Sequence, residues 1–393
     1  MNDIFSDRIK NVPKSFIREI LKVIDDPEII SFAGGLPNKD LFPVEEIRKA
    51  ADYQFDNFGK EVLQYSTTEG YLPLRQYIAD RFNKRNNLNI SVDEVLITHG
   101  SQQALDLIGK IFLNDEDCIV IEEPGYLGAI QCLSVFSKNF KTIKLNDDGL
   151  NLEELEKILE KYSPKLLYVV PNFQNPSGIT YTNQNREEIA NILKRYNTYL
   201  IEDDPYGELR FEGEQANTFK KLLPEKSIIL GSFSKIVAPG FRLGWVIAPK
   251  EVMSNLVIAK QAADLHSNYV GQRIIYQFLK DNELDKHISK IKERYGSQKR
   301  AMIESIKKHF PKNIKYTNPE GGMFLWVTLP NNYSAMELFE KTIKAKVAFV
   351  PGDPFYVNKT NVNTLRINYS CSDEQTIEEG IKRLASCIKE LVV

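Results

Sequence analysis

Between about residues 70 and 280 the chain alternates short apolar runs with amphipathic stretches of helical period. The apolar runs lie at 95–98, 118–122, 141–145, 166–170, 199–202, 227–230 and 244–248. Several are apolar at every position, the pattern of strands covered on both faces. Residues 151–162 and 185–196, between such runs, carry apolar positions at helical spacing. Strands alternating with helices predict an α/β fold whose mostly parallel sheet is flanked by helices.

After about residue 285 the pattern changes. A charged helix at 287–309 precedes a strand-like run at 322–328, a helix near 334–346, a strand at 364–368 and a last helix from Asp373. This predicts a smaller α+β domain. Near the N-terminus Phe16, Ile17, Ile20, Leu21 and Ile24 recur at helical spacing, and a strand-like run at 29–37 contains the turn Gly34-Gly35. The N-terminal helix is expected to pack with the C-terminal region. The expected division is an N-terminal arm over 1–45 joining the small domain, a large domain over 46–285 and the small domain over 286–393.

Composition narrows the function classes. The chain has 393 residues, 42% hydrophobic and 26% charged, which is a globular composition. A formal net charge of −2 gives no general attraction to nucleic acid or anionic membrane. No apolar run approaches the roughly 20 residues of a membrane span. The first residues, Met1 to Arg8, are polar and lack a signal-peptide core, so a cytoplasmic location is expected. Cys118, Cys132, Cys371 and Cys387 form no Cys-x-x-Cys pair and are expected to be buried, reduced thiols. His99, His266, His287 and His309 are scattered without metal-ligand spacing, so no metal site is expected.

The densest chemistry lies in Ser232-Phe-Ser-Lys-Ile-Val-Ala-Pro-Gly-Phe-Arg-Leu-Gly244, directly after the run at 227–230. A lysine at the end of a buried strand is costly, because desolvation disfavours the ammonium. One task that needs such a lysine is Schiff-base chemistry with an aldehyde cofactor. Hydroxyls at Ser232 and Ser234 and the guanidinium of Arg242 suit a phosphate.

Other polar residues follow other strand ends, where ligands of open α/β sheets bind. His99-Gly-Ser101-Gln102 opens a helix whose first amides are free to hold a phosphate. Glu123-Pro-Gly-Tyr126, Asn175-Pro-Ser-Gly178 and Asp203-Asp-Pro-Tyr206 end three further strands. Arg366 sits inside an otherwise apolar strand, and a buried arginine needs a partner. Each has a plainer alternative. Ser101 reads equally as a helix cap, Tyr126 as a core-packed turn residue, Asn175-Pro176 as a rigid turn, Asp204 as a solvated turn carboxylate and Arg366 as one half of an internal salt bridge.

Taken in order, this set resembles the core of the class I/II aminotransferases, fold-type I enzymes that carry pyridoxal 5'-phosphate, from about residue 30 to the C-terminus. The resemblance implies that Lys235 holds the cofactor and then moves the substrate proton. It implies that Asp203 pairs with the pyridine nitrogen, Tyr126 stacks on the ring, and Asn175 and Tyr206 bond the phenolate oxygen. Ser101, Gln102, Ser232, Ser234 and Arg242 would hold the phosphate, and Arg366, with Asn175, the substrate α-carboxylate. Ser31-Phe-Ala-Gly-Gly-Leu-Pro-Asn38 and Leu63-Gln-Tyr-Ser-Thr-Thr-Glu-Gly70 are similar to the branch of α-aminoadipate and kynurenine aminotransferases. That branch implies Gly35 beside the substrate, Tyr65 reaching the phosphate of a neighbouring subunit in a homodimer, and Arg18 facing a distal carboxylate. The expected activity is transamination between an L-amino acid and a 2-oxo acid. Glutamate and 2-oxoglutarate are expected as one pair, and 2-aminoadipate, an aromatic or a branched-chain amino acid as the other donor; Leu36, Tyr126 and Phe355 suit the apolar choices. A pyridoxal-phosphate lyase or decarboxylase, or an effector-binding module like those fused to winged helices, are the alternatives.

Overall fold

The computed structural model describes residues 4–10, 12 and 26–392. The expected N-terminal helix, with Arg18, lies outside the described residues. The centre is an eight-stranded sheet. In spatial order its strands are Val95–Thr98, Gly244–Ile247, Ser227–Ser232, Tyr199–Asp203, Leu166–Val169, Ile119–Glu123, Phe140–Asn146 and Gly149–Leu150. The five strands from Ser227–Ser232 to Phe140–Asn146 pair in parallel, and Gly244–Ile247 runs against both of its neighbours.

Alternation along each strand explains the layering. Ile119, Ile121, Leu166, Tyr168 and Ile201 belong to one apolar cluster, while Val120, Leu167, Val169 and Leu200 belong to another. Successive side chains point to opposite faces of a strand, so strands covered on both faces have apolar residues at every position. The first face is packed by helices that include Gly100–Phe112 and Tyr269–Asp281, the second by Leu152–Tyr162 and Asn183–Leu193. The result is a three-layer α/β/α arrangement.

Residues 315–368 form a four-stranded sheet in the order Lys315–Tyr316, Phe324–Thr328, Thr364–Asn368, Val350–Pro351. All three of its pairings are antiparallel. Helices Leu284–His309 and Glu374–Val392 accompany it. The expected strand at 29–37 is corrected: regular pairing is confined to Ile30–Ser31, beside Val347–Ala348. Beyond Ser31 the segment continues as extended chain held by Phe32, whose amide bonds the Ala348 carbonyl at 2.8 Å and whose carbonyl accepts from the Asn368 amide at 2.8 Å. Gly34, Gly35 and Pro37 then lead it across the carboxyl ends of the large sheet instead of along a partner strand.

Two other expectations change. Cys118 and Cys387 are buried, but Cys132 is half-buried and Cys371 exposed, so the thiols are not uniformly interior. Asp204 is not a freely solvated carboxylate. Its Oδ1 accepts the Gly207 amide at 2.8 Å and closes the turn after Tyr199–Asp203. Among the described residues no helix is long and apolar enough to cross a membrane.

Candidate active site

At the carboxyl edge of the large sheet lies a cavity of about 400 Å³. Its wall includes Gly35, Ser101, Gln102, Tyr126, Asn175, Asp203, Tyr206, Ser232, Ser234, Lys235, Arg242 and Arg366, so twelve of the fourteen candidates from the sequence converge there. Tyr65 does not line it. That side chain is 79% exposed, with its ring edge-on to His266 at 5.7 Å. Arg18 lies outside the described residues.

Lys235 reaches the cavity from the turn after Ser227–Ser232. Its Nζ donates to the Gly35 carbonyl at 2.8 Å, a contact the sequence did not suggest. Burial lowers the amine to about 8, and the cations Arg366 and Arg242 push in the same direction. A lysine this easily deprotonated is a nucleophile and base near neutral pH.

Asp203 ends its strand on the face shared with Ile201 and Tyr168. Its Oδ2 accepts the Tyr168 hydroxyl at 2.7 Å, and its Oδ1 is buried with no partner. Burial pushes the carboxyl up to about 7; the Tyr168 bond opposes that shift and the Asp204 charge adds to it. Tyr168 was missed because it sits in an apolar run. Only the adjacency of the two strands brings it to Asp203.

Arg366 is 2% exposed. Its Nη1 donates to Asn175 Oδ1 and its Nη2 to the Ala33 carbonyl, both at 2.8 Å, and its Nε has no partner. The guanidinium lies 4.3 Å from the Phe324 ring centre and 5.2 Å from that of Phe355. No carboxylate pairs with it among the described residues, which removes the internal salt bridge as an explanation. Burial lowers it to about 10, so the cation lacks the counter-charge that would stabilise it.

Tyr206 and Asn175 face each other, Asn175 Nδ2 lying 3.4 Å from the Tyr206 hydroxyl. Tyr126 packs over Gly128, where a Cβ would come within 2.6 Å of the ring. Gln102 Nε2 donates to the Gly128 carbonyl at 2.9 Å, joining the Tyr126 turn to the first turn of helix Gly100–Phe112. Gly100 adopts φ +70°, and a Cβ there would stand 3.0 Å from Arg242 Nη2. Glycine therefore lets the helix start and the Arg242 fork share one corner, with Ser101, Ser232 and Ser234 around it.

The fold and this cavity define an α/β transferase of the fold-type I architecture. The chain belongs to the aminotransferase class I and II family, whose model matches residues 27–384. It is similar to the aromatic-amino-acid aminotransferase 1 of Thermococcus litoralis, with 41% identity over 98% of this chain and 94% of that one. Among solved structures, the Pyrococcus horikoshii kynurenine aminotransferase in complex with PMP is 41% identical, with a TM-score of 0.94 over 98% of this chain and 97% of that one. The α-aminoadipate aminotransferase of Thermus thermophilus, complexed with N-(5'-phosphopyridoxyl)-L-leucine, is 38% identical, with a TM-score of 0.92 over 99% and 98%. The family and these complexes imply pyridoxal phosphate, amino acids and 2-oxo acids as the molecules the chain handles, and transamination as its chemistry.

The residues present fit that cofactor. The buried, unpartnered Asp203 Oδ1 is an acceptor waiting for a cationic donor, as a protonated ring nitrogen would be. The corner made by Gly100, Ser101, Ser232, Ser234 and Arg242 suits a dianionic phosphate. Lys235 is the amine within the same cavity.

Proposed function

We propose that this chain is a homodimeric pyridoxal-phosphate aminotransferase that exchanges glutamate and 2-oxoglutarate against 2-aminoadipate, an aromatic or a branched-chain amino acid. The observation that carries the cofactor assignment is the presence in one cavity of a buried, unpartnered carboxylate oxygen at Asp203 and a buried lysine of lowered basicity at Lys235. The names of the similar enzymes support the choice of amino acids. The exposure of Tyr65 outside its own chain's cavity supports a role at the phosphate of a second subunit.

When bound, pyridoxal phosphate supplies an aldehyde that condenses with amines and a ring that accepts the electron pair left at Cα. Everything else falls to the chain. Ser101, Gln102, Ser232, Ser234 and Arg242 would hold the phosphate. Asp203, itself oriented by the Tyr168 hydroxyl, would keep the ring nitrogen protonated. Asn175 and Tyr206 would donate to the phenolate oxygen, and Tyr126 would cover the ring. Arg366 takes the substrate carboxylate in its fork, with Asn175 fixing the fork's angle. Lys235, its basicity lowered by burial, would take the proton from the substrate Cα and deliver it to the cofactor's C4′ carbon within the same half-reaction, and would carry it the other way when a 2-oxo acid is the substrate.

A single half-reaction tests the reading. With amino acid and no acceptor, the enzyme should release one equivalent of 2-oxo acid per site and then stop until a 2-oxo acid is added. Continued release without acceptor, or release of carbon dioxide, points instead to a lyase or decarboxylase. Separately, Asp203→Asn should weaken cofactor binding about 10- to 100-fold, the worth of a hydrogen bond to a charged group. Equilibrium titration of the apoprotein measures it, and wild-type affinity would remove Asp203 from the ring nitrogen.

A further inference from the structure

A second buried carboxylate, unused by the chemistry above, lies behind the site. Glu122 is 1% exposed and shares the strand face of Val120, opposite to the Asp203 face. It is absent from the cavity wall. Pairing between Ile119–Glu123 and Leu166–Val169 runs only from Ile119↔Leu166 to Ile121↔Tyr168, and beyond it the strands part. The Glu122 side chain bridges the gap. Its Oε1 accepts the Val170 amide at 3.0 Å and the Tyr181 hydroxyl at 2.6 Å, and its Oε2 accepts Gln174 Nε2 at 3.0 Å. Three donors and no acceptor surround it, the environment of an ionised carboxylate. They hold its acidity against burial, which pushes it up to about 7.

Gln174 is fully buried and spends its whole amide on this junction. Nε2 also donates to the Pro124 carbonyl at 2.8 Å, and Oε1 accepts the Ser177 amide at 2.7 Å. Asn175 is the next residue along the chain, and Pro124 stands two residues before Tyr126. One side-chain pair thus ties together the two turns that carry Asn175 and Tyr126.

We propose that Glu122 and Gln174 are a positioning pair that sets Asn175, and through it the Arg366 fork, against the ring held by Tyr126. The proposal rests on the aminotransferase reading above. Neither residue touches substrate or cofactor; both act through Asn175 and the Pro124 turn. Loss of the pair should loosen the grip on the substrate carboxylate and weaken the hydrogen bond that Asn175 gives the phenolate oxygen, while the phosphate corner stays intact.

The test is Glu122→Gln, which keeps volume and the Oε1 acceptor but turns an amide against the Gln174 amide. The expected result is a rise in amino-acid KM of about tenfold with kcat within about threefold, the loss of one hydrogen bond to a charge. The pH midpoint of the bound cofactor's absorbance should rise by about half a unit or more, since a phenolate that loses a donor is harder to ionise. Apoprotein affinity for pyridoxal phosphate should stay within about threefold, because the phosphate contacts are untouched. The double exchange Glu122→Gln with Gln174→Glu restores a donor facing an acceptor, though not the bond to Pro124, and should recover part of both effects. Wild-type KM and midpoint in Glu122→Gln would overturn the proposal, as would a double variant no better than the single. Should Glu122→Gln fail to fold, Gln174→Met removes the same link from the other side and is judged by the same two readouts. Failure of the aminotransferase reading would show instead in the wild-type enzyme, as no 2-oxo acid released.

Discussion

Lys235→Ala should lower turnover by at least about 10⁴-fold, the upper range of a positioned general base, with the loss of covalent attachment added to it. The variant should also lose the absorbance of lysine-linked cofactor. Lys235 lines the cavity, and its Nζ is held at the carbonyl of Gly35, another residue of the same wall. Among the described residues no other lysine lines the cavity. A variant with an unchanged spectrum, or one that still turns over, would sink the assignment. The lowered basicity adds a pH signature. Only the neutral amine condenses with an aldehyde, and burial places its midpoint at about 8 rather than 10.5. Capture of pyridoxal phosphate by the apoprotein should therefore accelerate as pH rises through about 8 and level off above it. A rate still climbing beyond pH 10 would show an amine of ordinary basicity.

Arg366→Ala should raise KM for amino acids and 2-oxo acids by about 10²- to 10³-fold, the cost of removing one partner from a buried, fork-shaped ion pair. The fork already spends one Nη on Asn175 and one on Ala33, and the aromatic rings of Phe324 and Phe355 exclude water around it. Among the described residues its Nε lacks a partner and its charge a counter-ion, which a substrate carboxylate would supply. Arg366→Lys should recover little, because an ammonium cannot reproduce two parallel donors. Steady-state kinetics on both variants, with the unfolding midpoint as a control for folding, checks this. An unaltered KM would take Arg366 out of the substrate site.

Much of the candidate site was legible because its parts are local. A buried strand followed by a polar turn can be read from neighbouring residues, and this gave Asn175, Asp203 and Lys235 as members of one edge once the sheet was expected to be parallel. The strand at 364–368 and the arginine within it were equally visible. What the periodicity could not show was the conformation at 29–37. Apolar residues suggested a strand, yet the segment's backbone finds ladder partners for only two residues and then bonds Ala348 and Asn368, which lie far along the chain.

The sequence by itself determined the α/β architecture, the strand ends and the identity of the lysine, carboxylate and arginines gathered there, because hydrophobic periodicity and turn chemistry are short-range. Only the tertiary structure decided who faces whom. Tyr168 meets Asp203 because their strands are adjacent, and Lys235 meets Gly35 across two hundred positions. Among the described residues Arg366 has no carboxylate partner, and Glu122 lies behind the site where two strands separate. Tyr65 was placed outside its own cavity. The physical reason is common to all of them. Strand parity fixes which face a side chain takes, but register and strand order, set by packing between distant segments, fix what stands opposite it.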